Sequence, residues 1–308
     1  MTKLWYMNLY PGGNTKTDTP FDLCKNAGIL AIGWSKVNRS VRTHSPDVYA
    51  KSAERIIPRV YPEGGRELKK WRGQFGILSR VEKGDLVWTK RSRGQYYLNR
   101  ILDTRVTLLY GDEYQLNDFG SGRRCEWNEV PDDLDVPAEV KRNTRGTIHA
   151  VKDPKGTACT TSEQLYNEFR GRDIYRPKKF EGDLFDFLAP QDVEDLVGLF
   201  LQVRKKLLII PSTSKQSMSP VEFLMIDGGS GEEFGVQVKT GNQIINLSDY
   251  ATSPRKNYFF QAKPRIPTKS DEKTIFIERE ELIQFAKEEP NKLPRGIRRR
   301  VKSLYGSV

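Results

Sequence analysis

The 308 residues suffice for two ordinary domains, and 37% hydrophobic with 30% charged residues provides cores while excluding an integral membrane protein. No apolar run approaches the roughly 20 residues that cross a bilayer, and Met1 to Tyr10 lacks the basic start and apolar middle of a signal peptide, so a cytoplasmic chain without a membrane partner is expected. A net charge of +11 points to a polyanion such as nucleic acid. Two histidines (His44, His149) and three scattered cysteines (Cys24, Cys125, Cys159) exclude a histidine-rich metal cluster, a zinc ribbon and a disulfide framework.

In chain order, Leu4 to Leu9 reads as a strand, Pro11-Gly12-Gly13-Asn14 as a turn, Phe21 to Asn26 as a helix and Gly28 to Trp34 as a buried strand. Leu68, Trp71, Phe75 and Leu78 recur at three- and four-residue spacing, which predicts a helix over Arg66 to Val81. Leu86-Val87-Trp88-Thr89 and Gln95 to Leu102 predict a hairpin across the polar turn Lys90 to Gly94. Val106 to Leu109 and Arg124 to Trp127 add strands, so residues 1–135 predict a small barrel or curled sheet. Residues 136–180 lose periodicity around Pro137, Pro154, Gly156 and Pro177, apart from a helical stretch at Ser162 to Phe169, and read as a linker region. Beyond it a helix over Gln191 to Leu208 precedes strands at Val221 to Ile226, Phe234 to Thr240, Asn257 to Ala262 and Thr274 to Ile277, then a helix over Glu278 to Glu288. That order predicts an α/β domain over 181–308.

The chemistry concentrates between Gln191 and Gly241. Val193, Leu196, Val197, Phe200 and Leu207 mark one apolar stripe, and Glu194 lies at its edge, where a carboxylate needs a metal or a lysine as partner. In Phe234-Gly235-Val236-Gln237-Val238-Lys239-Thr240 the period of two sends Val236 and Val238 to one face and Gln237 and Lys239 to the other. Glu222 opens the preceding apolar strand. Phosphodiester hydrolysis needs a divalent cation, oxygen ligands to hold it, and a group that activates water or stabilises developing charge. Glu222 and the Gln237 side-chain oxygen would hold the ion, Glu194 would position ion or water, and Lys239 would serve the attacking water.

A helix Glu, a carboxylate at a strand start and a Gln-x-Lys strand resemble the PD-(D/E)XK nuclease superfamily, especially the Mrr-like restriction endonucleases, over roughly residues 181–290. The resemblance implies a magnesium-dependent DNA endonuclease with a mixed central sheet flanked by helices, manganese substituting. Carried over in order, its catalytic set is Glu194, Glu222, Gln237 and Lys239. The usual middle acid is Asp, so Asp227, five residues on, is a rival to Glu222. Gln237 stands where most members have a third acid.

In the first half, Leu4-Trp5-Tyr6-Met7-Asn8-Leu9, Gly33-Trp34, Lys83-Gly84-Asp85-Leu86-Val87-Trp88 and Tyr96-Tyr97-Leu98 resemble PUA-like domains of the EVE and YTH type. This implies a small α+β barrel over 1–135 that grips a base taken out of its stack, with Trp34, Trp88 and Tyr97 as base-binding residues. Lys90, Arg91, Arg93 and Arg100 on the hairpin, and Arg298, Arg299 and Arg300 near the C-terminus, are candidate phosphate contacts. A disordered solubilising tail is the competing reading of the last eleven basic-rich positions before the terminus, Lys292 to Lys302. The expected function is restriction or phage defence by an endonuclease acting on duplex DNA, read through a specific or modified base. A nucleotide- or RNA-binding module with an inactive nuclease-like domain is the alternative, and an RNA-cleaving variant a third. Double-strand cleavage would imply a homodimer. No Gly-x-x-x-x-Gly-Lys-Ser/Thr loop occurs, so the chain encodes no ATP-driven translocation of the P-loop kind.

Overall fold

The computed structural model describes residues 2–10, 18–61, 63–92, 94–141, 146–178, 182–213, 221–241, 243–263 and 271–306. The turn expected at Pro11 to Asn14 lies outside them. The chain divides into two compact units, Met1–Lys178 and Lys179–Val308, each with its own mixed sheet.

The first unit begins with β1 (Leu4–Met7), buried throughout. Helix α1 (Thr19–Ala27) starts with Pro20 in its first turn and ends at Gly28, whose left-handed backbone (φ 65°) turns the chain directly into β2 (Ile29–Ile32). Helices α2 (Ser35–Ser40), α3 (Pro46–Val60) and α4 (Gly64–Arg80) follow. Next come β3 (Leu86–Lys90), β4 (Tyr96–Ile101), β5 (Thr107–Leu108), α5 (Asp112–Leu116) and β6 (Ser121–Glu129), then α6 (Ala138–Lys141), β7 (Ile148–Ala150) and α7 (Thr157–Arg170). The strands form a curled half-barrel in the order β2-β6-β4-β3-β1-β7, with β5 on β6. Among the described residues of this unit, only β1 and β3 pair in parallel.

Both faces of this sheet are covered, which explains why its strands read as apolar runs. Trp5, Met7, Val87 and Tyr97 pack on one side with Phe21, Tyr49, Trp71 and Phe75. Leu4, Tyr6, Leu86, Trp88 and Leu98 pack on the other with Val140, Leu165 and Tyr166. The linker expectation for residues 136–180 is therefore corrected. Within that span β7 pairs with β1, and α7 builds the second core, so the first unit extends to Lys178. Helix α3 was not predicted, because its buried stripe, Tyr49, Ala53 and Ile57, is interrupted by small and charged residues and carries Pro58 in its last turn.

The second unit contains α8 (Leu184–Phe187), α9 (Pro190–Arg204), β8 (Leu207–Ile209), β9 (Phe223–Asp227), β10 (Glu233–Lys239), β11 (Lys256–Gln261), β12 (Thr274–Phe276), α10 (Arg279–Glu288) and α11 (Arg295–Tyr305). Its sheet runs β12-β11-β10-β9-β8, with β10, β11 and β12 parallel and β9 and β8 antiparallel. Phe223, Met225, Val236, Val238 and Phe260 meet α9, α10 and α11 in one core. Two expectations change here. The helix read to Leu208 ends at Arg204, because Lys206 takes a left-handed conformation (φ 61°) and Leu207 enters the edge strand β8. The basic C-terminal stretch is the ordered helix α11, whose Ile297 and Val301 are buried in the core.

Candidate active site and nucleic-acid pocket

In the second unit, alternation along β10 turns Val236 and Val238 into the core and leaves Gln237 and Lys239 on the opposite face. Register then decides their neighbour. Phe223 pairs with Val236, and the Glu222 amide donates to the Val236 carbonyl at 2.9 Å, which sets the Glu222 side chain beside Gln237. Gln237 Nε2 donates to Glu222 Oε1 at 2.7 Å, and Lys239 Nζ lies 3.5 Å from the same oxygen. Gln237 is 2% exposed, whereas Glu222 and Lys239 each keep about a third of their side chains in solvent. An amide held in the interior thus fixes a carboxylate that still reaches water.

Glu194 comes from the second turn of α9, which Pro190 starts and the Asp192 carboxylate caps by accepting from the Ala189 amide at 3.1 Å. Burial raises its pKa, the Glu222 and Asp195 charges raise it further, and Lys239 offsets part of the rise. Glu222, Gln237 and Lys239 are therefore in direct contact, and Glu194 feels the Glu222 and Lys239 charges. Asp227 is not among them. It ends β9, and its carboxylate accepts from the Gly229 and Ser230 amides at 2.8 and 2.7 Å, forming the turn into β10 that lies at the far end from Lys239. Those bonds hold its pKa low.

Among the described residues no three His, Cys, Asp or Glu side chains are grouped to hold a metal. The oxygen donors here are two carboxylates, Glu194 and Glu222, and the Gln237 amide, a hard-ligand set of the kind magnesium takes while keeping several waters. One neighbour had no sequence signal. Tyr250, in a short turn at Leu247–Tyr250, stands edge-on to Phe259 with ring centroids 4.8 Å apart, and Phe259 is the register partner of Gln237. Burial, Asp249 and Glu222 push its hydroxyl up to about 12. Only the parallel crossover from β10 to β11 brings this loop back over the site.

In the first unit, two of the three expected base-binding aromatics are core. Trp88 is fully buried and donates through Nε1 to Ser162 Oγ at 2.9 Å, which pins β3 to α7. Tyr97 packs against Phe21 and Trp127, with its hydroxyl donating to Glu129. Trp34 differs, because it lines a cavity of about 590 Å³ with Tyr10, Tyr61, Phe119 and Asp118. Trp34 (φ 70°) and Asp118 (φ 53°) both take the left-handed conformation that costs a non-glycine residue roughly 1–2 kcal/mol. The Trp34 indole donates to Glu67 at 3.2 Å, and Asp118 Oδ1 accepts from the Ser35 amide, the Ser35 hydroxyl and Tyr61. Lys36 lies over the Tyr61 ring at 5.1 Å and Lys70 is exposed at the same cavity. The volume and the aromatic walls suit one planar ring, at whose edge Lys70 is paired with Glu67.

The phosphate candidates divide similarly. Lys90 stacks over Tyr96, and Arg91 is tied to Asp18 and Asp22 at 3.0 and 2.9 Å. Arg93 lies outside the described residues. Arg300 is 6% exposed and paired with Asp192, so it braces α11 rather than facing solvent, and the partly exposed Arg298 donates to the Leu293 carbonyl. Arg299 is partly exposed, while Arg295 and Lys302 of the same basic stretch are exposed. Charge is also unevenly placed. Residues 1–178 hold 31 Lys and Arg against 22 Asp and Glu, and residues 179–308 hold 20 against 18, so most of the net positive charge belongs to the first unit. Comparison with known protein families, curated proteins and solved structures finds no match to this chain.

Proposed function

We propose that the chain is a magnesium-dependent DNA endonuclease of the PD-(D/E)XK kind, with its chemistry in the second unit and base recognition of PUA-like type in the first. The observation that carries this reading is the convergence of Gln237 and Lys239 on one Glu222 oxygen, with Glu194 coupled to the same group. Glu222, Glu194 and the Gln237 oxygen would hold magnesium, which supplies polarisation of the phosphoryl oxygen when bound. Gln237 orients Glu222 from the interior. The Lys239 ammonium, beside that carboxylate and in contact with water, stabilises charge developing on the phosphate and orients the attacking water. In the first unit, Trp34 stacks on a base turned out of the helix and Asp118 accepts hydrogen bonds from its edge, an arrangement suited to restriction of modified DNA.

Duplexes with plain, 5-methylated and 5-hydroxymethylated cytosine, incubated with and without magnesium, test the reading. Cleavage should require the metal and favour a modified duplex. Lys239→Ala and Glu222→Gln should each lower the cleavage rate by about 10²-fold or more at unchanged DNA affinity. Normal cleavage by purified Lys239→Ala removes the catalytic assignment. Tight binding of a modified duplex without cleavage by the wild-type chain would favour a reader whose nuclease-like unit is inactive.

A further inference from the structure

The charge on the walls of the Trp34 cavity does not cancel. Among the described residues its charged walls are Glu67, Lys70 and Asp118. Glu67 and Lys70 neutralise each other as a hydrogen-bonded ion pair within α4, and the Trp34 indole donates to the same carboxylate. Asp118 has no ion-pair partner among the described residues, and the three donors it accepts from, the Ser35 amide, the Ser35 hydroxyl and the Tyr61 hydroxyl, all meet Oδ1. Its Oδ2 takes none of them. Gly33, also a wall, keeps the approach to that oxygen open, since a Cβ there would stand 3.1 Å from Oδ2. The segment carrying the carboxylate is held firmly against its neighbour: the Gly120 amide donates to the Ile32 carbonyl at 2.9 Å, and a Cβ on Gly120 would come within 2.9 Å of the Gly33 and Trp34 carbonyl oxygens. One net negative charge thus stands in a cavity walled by Trp34, Tyr61, Tyr10 and Phe119.

We propose that this cavity takes a planar ring with a delocalised positive charge, an N-alkylated cytosine or adenine, in preference to a neutral ring of the same size; this rests on the base-pocket reading of the first unit and not on the nuclease reading of the second. A ring that fills the cavity displaces water from the Asp118 carboxylate, which is costly unless the ring supplies a partner. A neutral amino edge offers Oδ2 one ordinary hydrogen bond. A cationic ring offers a charge-assisted bond, roughly twice as strong, and its charge is attracted to the faces of Trp34 and Tyr61. Lys36, over the Tyr61 ring at 5.1 Å, is exposed and does not line the cavity, so solvent screens its repulsion.

Titration calorimetry of the full chain with free nucleosides tests this, because a free nucleoside has no unpairing cost and reports on the cavity alone. At neutral pH 3-methylcytidine and 1-methyladenosine carry the charge, and 5-methylcytidine and N6-methyladenosine are their neutral counterparts. Each cation should bind about tenfold more tightly than its counterpart. Asp118→Asn, which keeps an acceptor for Ser35 and Tyr61, should remove that difference. Glu67→Gln should reduce it without touching Asp118, since Lys70 then goes uncompensated, and this second variant serves if Asp118→Asn does not fold. Trp34→Ala should weaken all four nucleosides. Equal affinity for charged and neutral rings overturns the charge preference while leaving the base pocket in place, and failure of all four to bind removes both. A preference that survives Asp118→Asn or Glu67→Gln overturns the assignment to the wall charge. Tetramethylammonium bound as tightly as the cationic nucleosides overturns the planar ring in favour of a methylammonium cage.

Discussion

Glu194 illustrates how a half-buried carboxylate works against the fold. Burial and the nearby Glu222 charge raise its pKa, so the folded chain holds this proton more tightly than the unfolded chain does. Stability attached to the group is therefore greatest in acid and is lost as pH rises from the ordinary glutamate range through the raised value. Glu194→Gln should raise the thermal midpoint near neutral pH, and the difference should shrink to nothing below the ordinary glutamate range, as followed by calorimetry at a series of pH values. The same substitution should abolish magnesium-dependent cleavage, and the wild-type rate should fall on acidification at a higher pH than an unperturbed glutamate would give. Equal midpoints at every pH would show that Glu194 is not held against its preference. Its place at the edge of the apolar stripe was legible from the spacing of Val193, Leu196 and Val197. Tyr250 was not, since its loop has no periodicity and only the sheet brings it to Phe259.

At the level of elements, alternation told most where the two faces of a strand have different neighbours. The two faces of β10 followed from the period of two, and its pairing with β9 then placed Glu222 rather than Asp227 beside Gln237. Pairing is a long-range property, so the rivalry between the two acids could not be settled along the chain. Helix α11 failed for the opposite reason: its arginines read as a solvated run, although Ile297, Val301 and Leu304 make a helical stripe packed on the core. The arginines in it have different jobs. Arg300→Ala would strand Asp192 without its cation and should cost about 2 kcal/mol, measured by denaturant unfolding. Arg295→Ala/Lys302→Ala should leave stability within about 0.5 kcal/mol. If these two exposed cations touch phosphates, the pair should lower the slope of log affinity against log salt by roughly 0.9 per contact. An unchanged slope would confine DNA contact to the first unit.

For the molecule as a whole, two units were readable from length and pattern, but the end of the first was not. The strand β7 is three residues long, and α7 buries threonines and a serine as well as apolar residues, so neither stands out from its surroundings. A fragment of residues 1–178 should fold and bind DNA by itself, and one of residues 1–135 should be insoluble, because it leaves Trp88, Leu98 and Tyr6 without Leu165 and Tyr166. Circular dichroism and solubility of the two fragments decide the matter; a cooperatively folded 1–135 would return α7 to the status of an accessory. The tryptophans divide along the same line. Trp88→Ala should cost about 3–5 kcal/mol, while Trp34→Ala should weaken preference for a modified base with a smaller effect on folding.

The place of β1 between β3 and β7 also governs how this protein is made. Its partners are Leu86 to Trp88 on one side and Ile148 to Ala150 on the other, so β1 cannot complete its pairing until about 140 further residues have been synthesised. At about 5–20 residues per second, Leu4-Trp5-Tyr6-Met7 waits on the order of 10–30 s with an apolar edge uncovered. The second unit has no such debt, since all its strands pair within the last hundred or so residues. Exposure of that edge should therefore fall chiefly in the translation of the first unit, and expression at low temperature or with a ribosome-associated chaperone should raise the folded yield of that unit more than of the second.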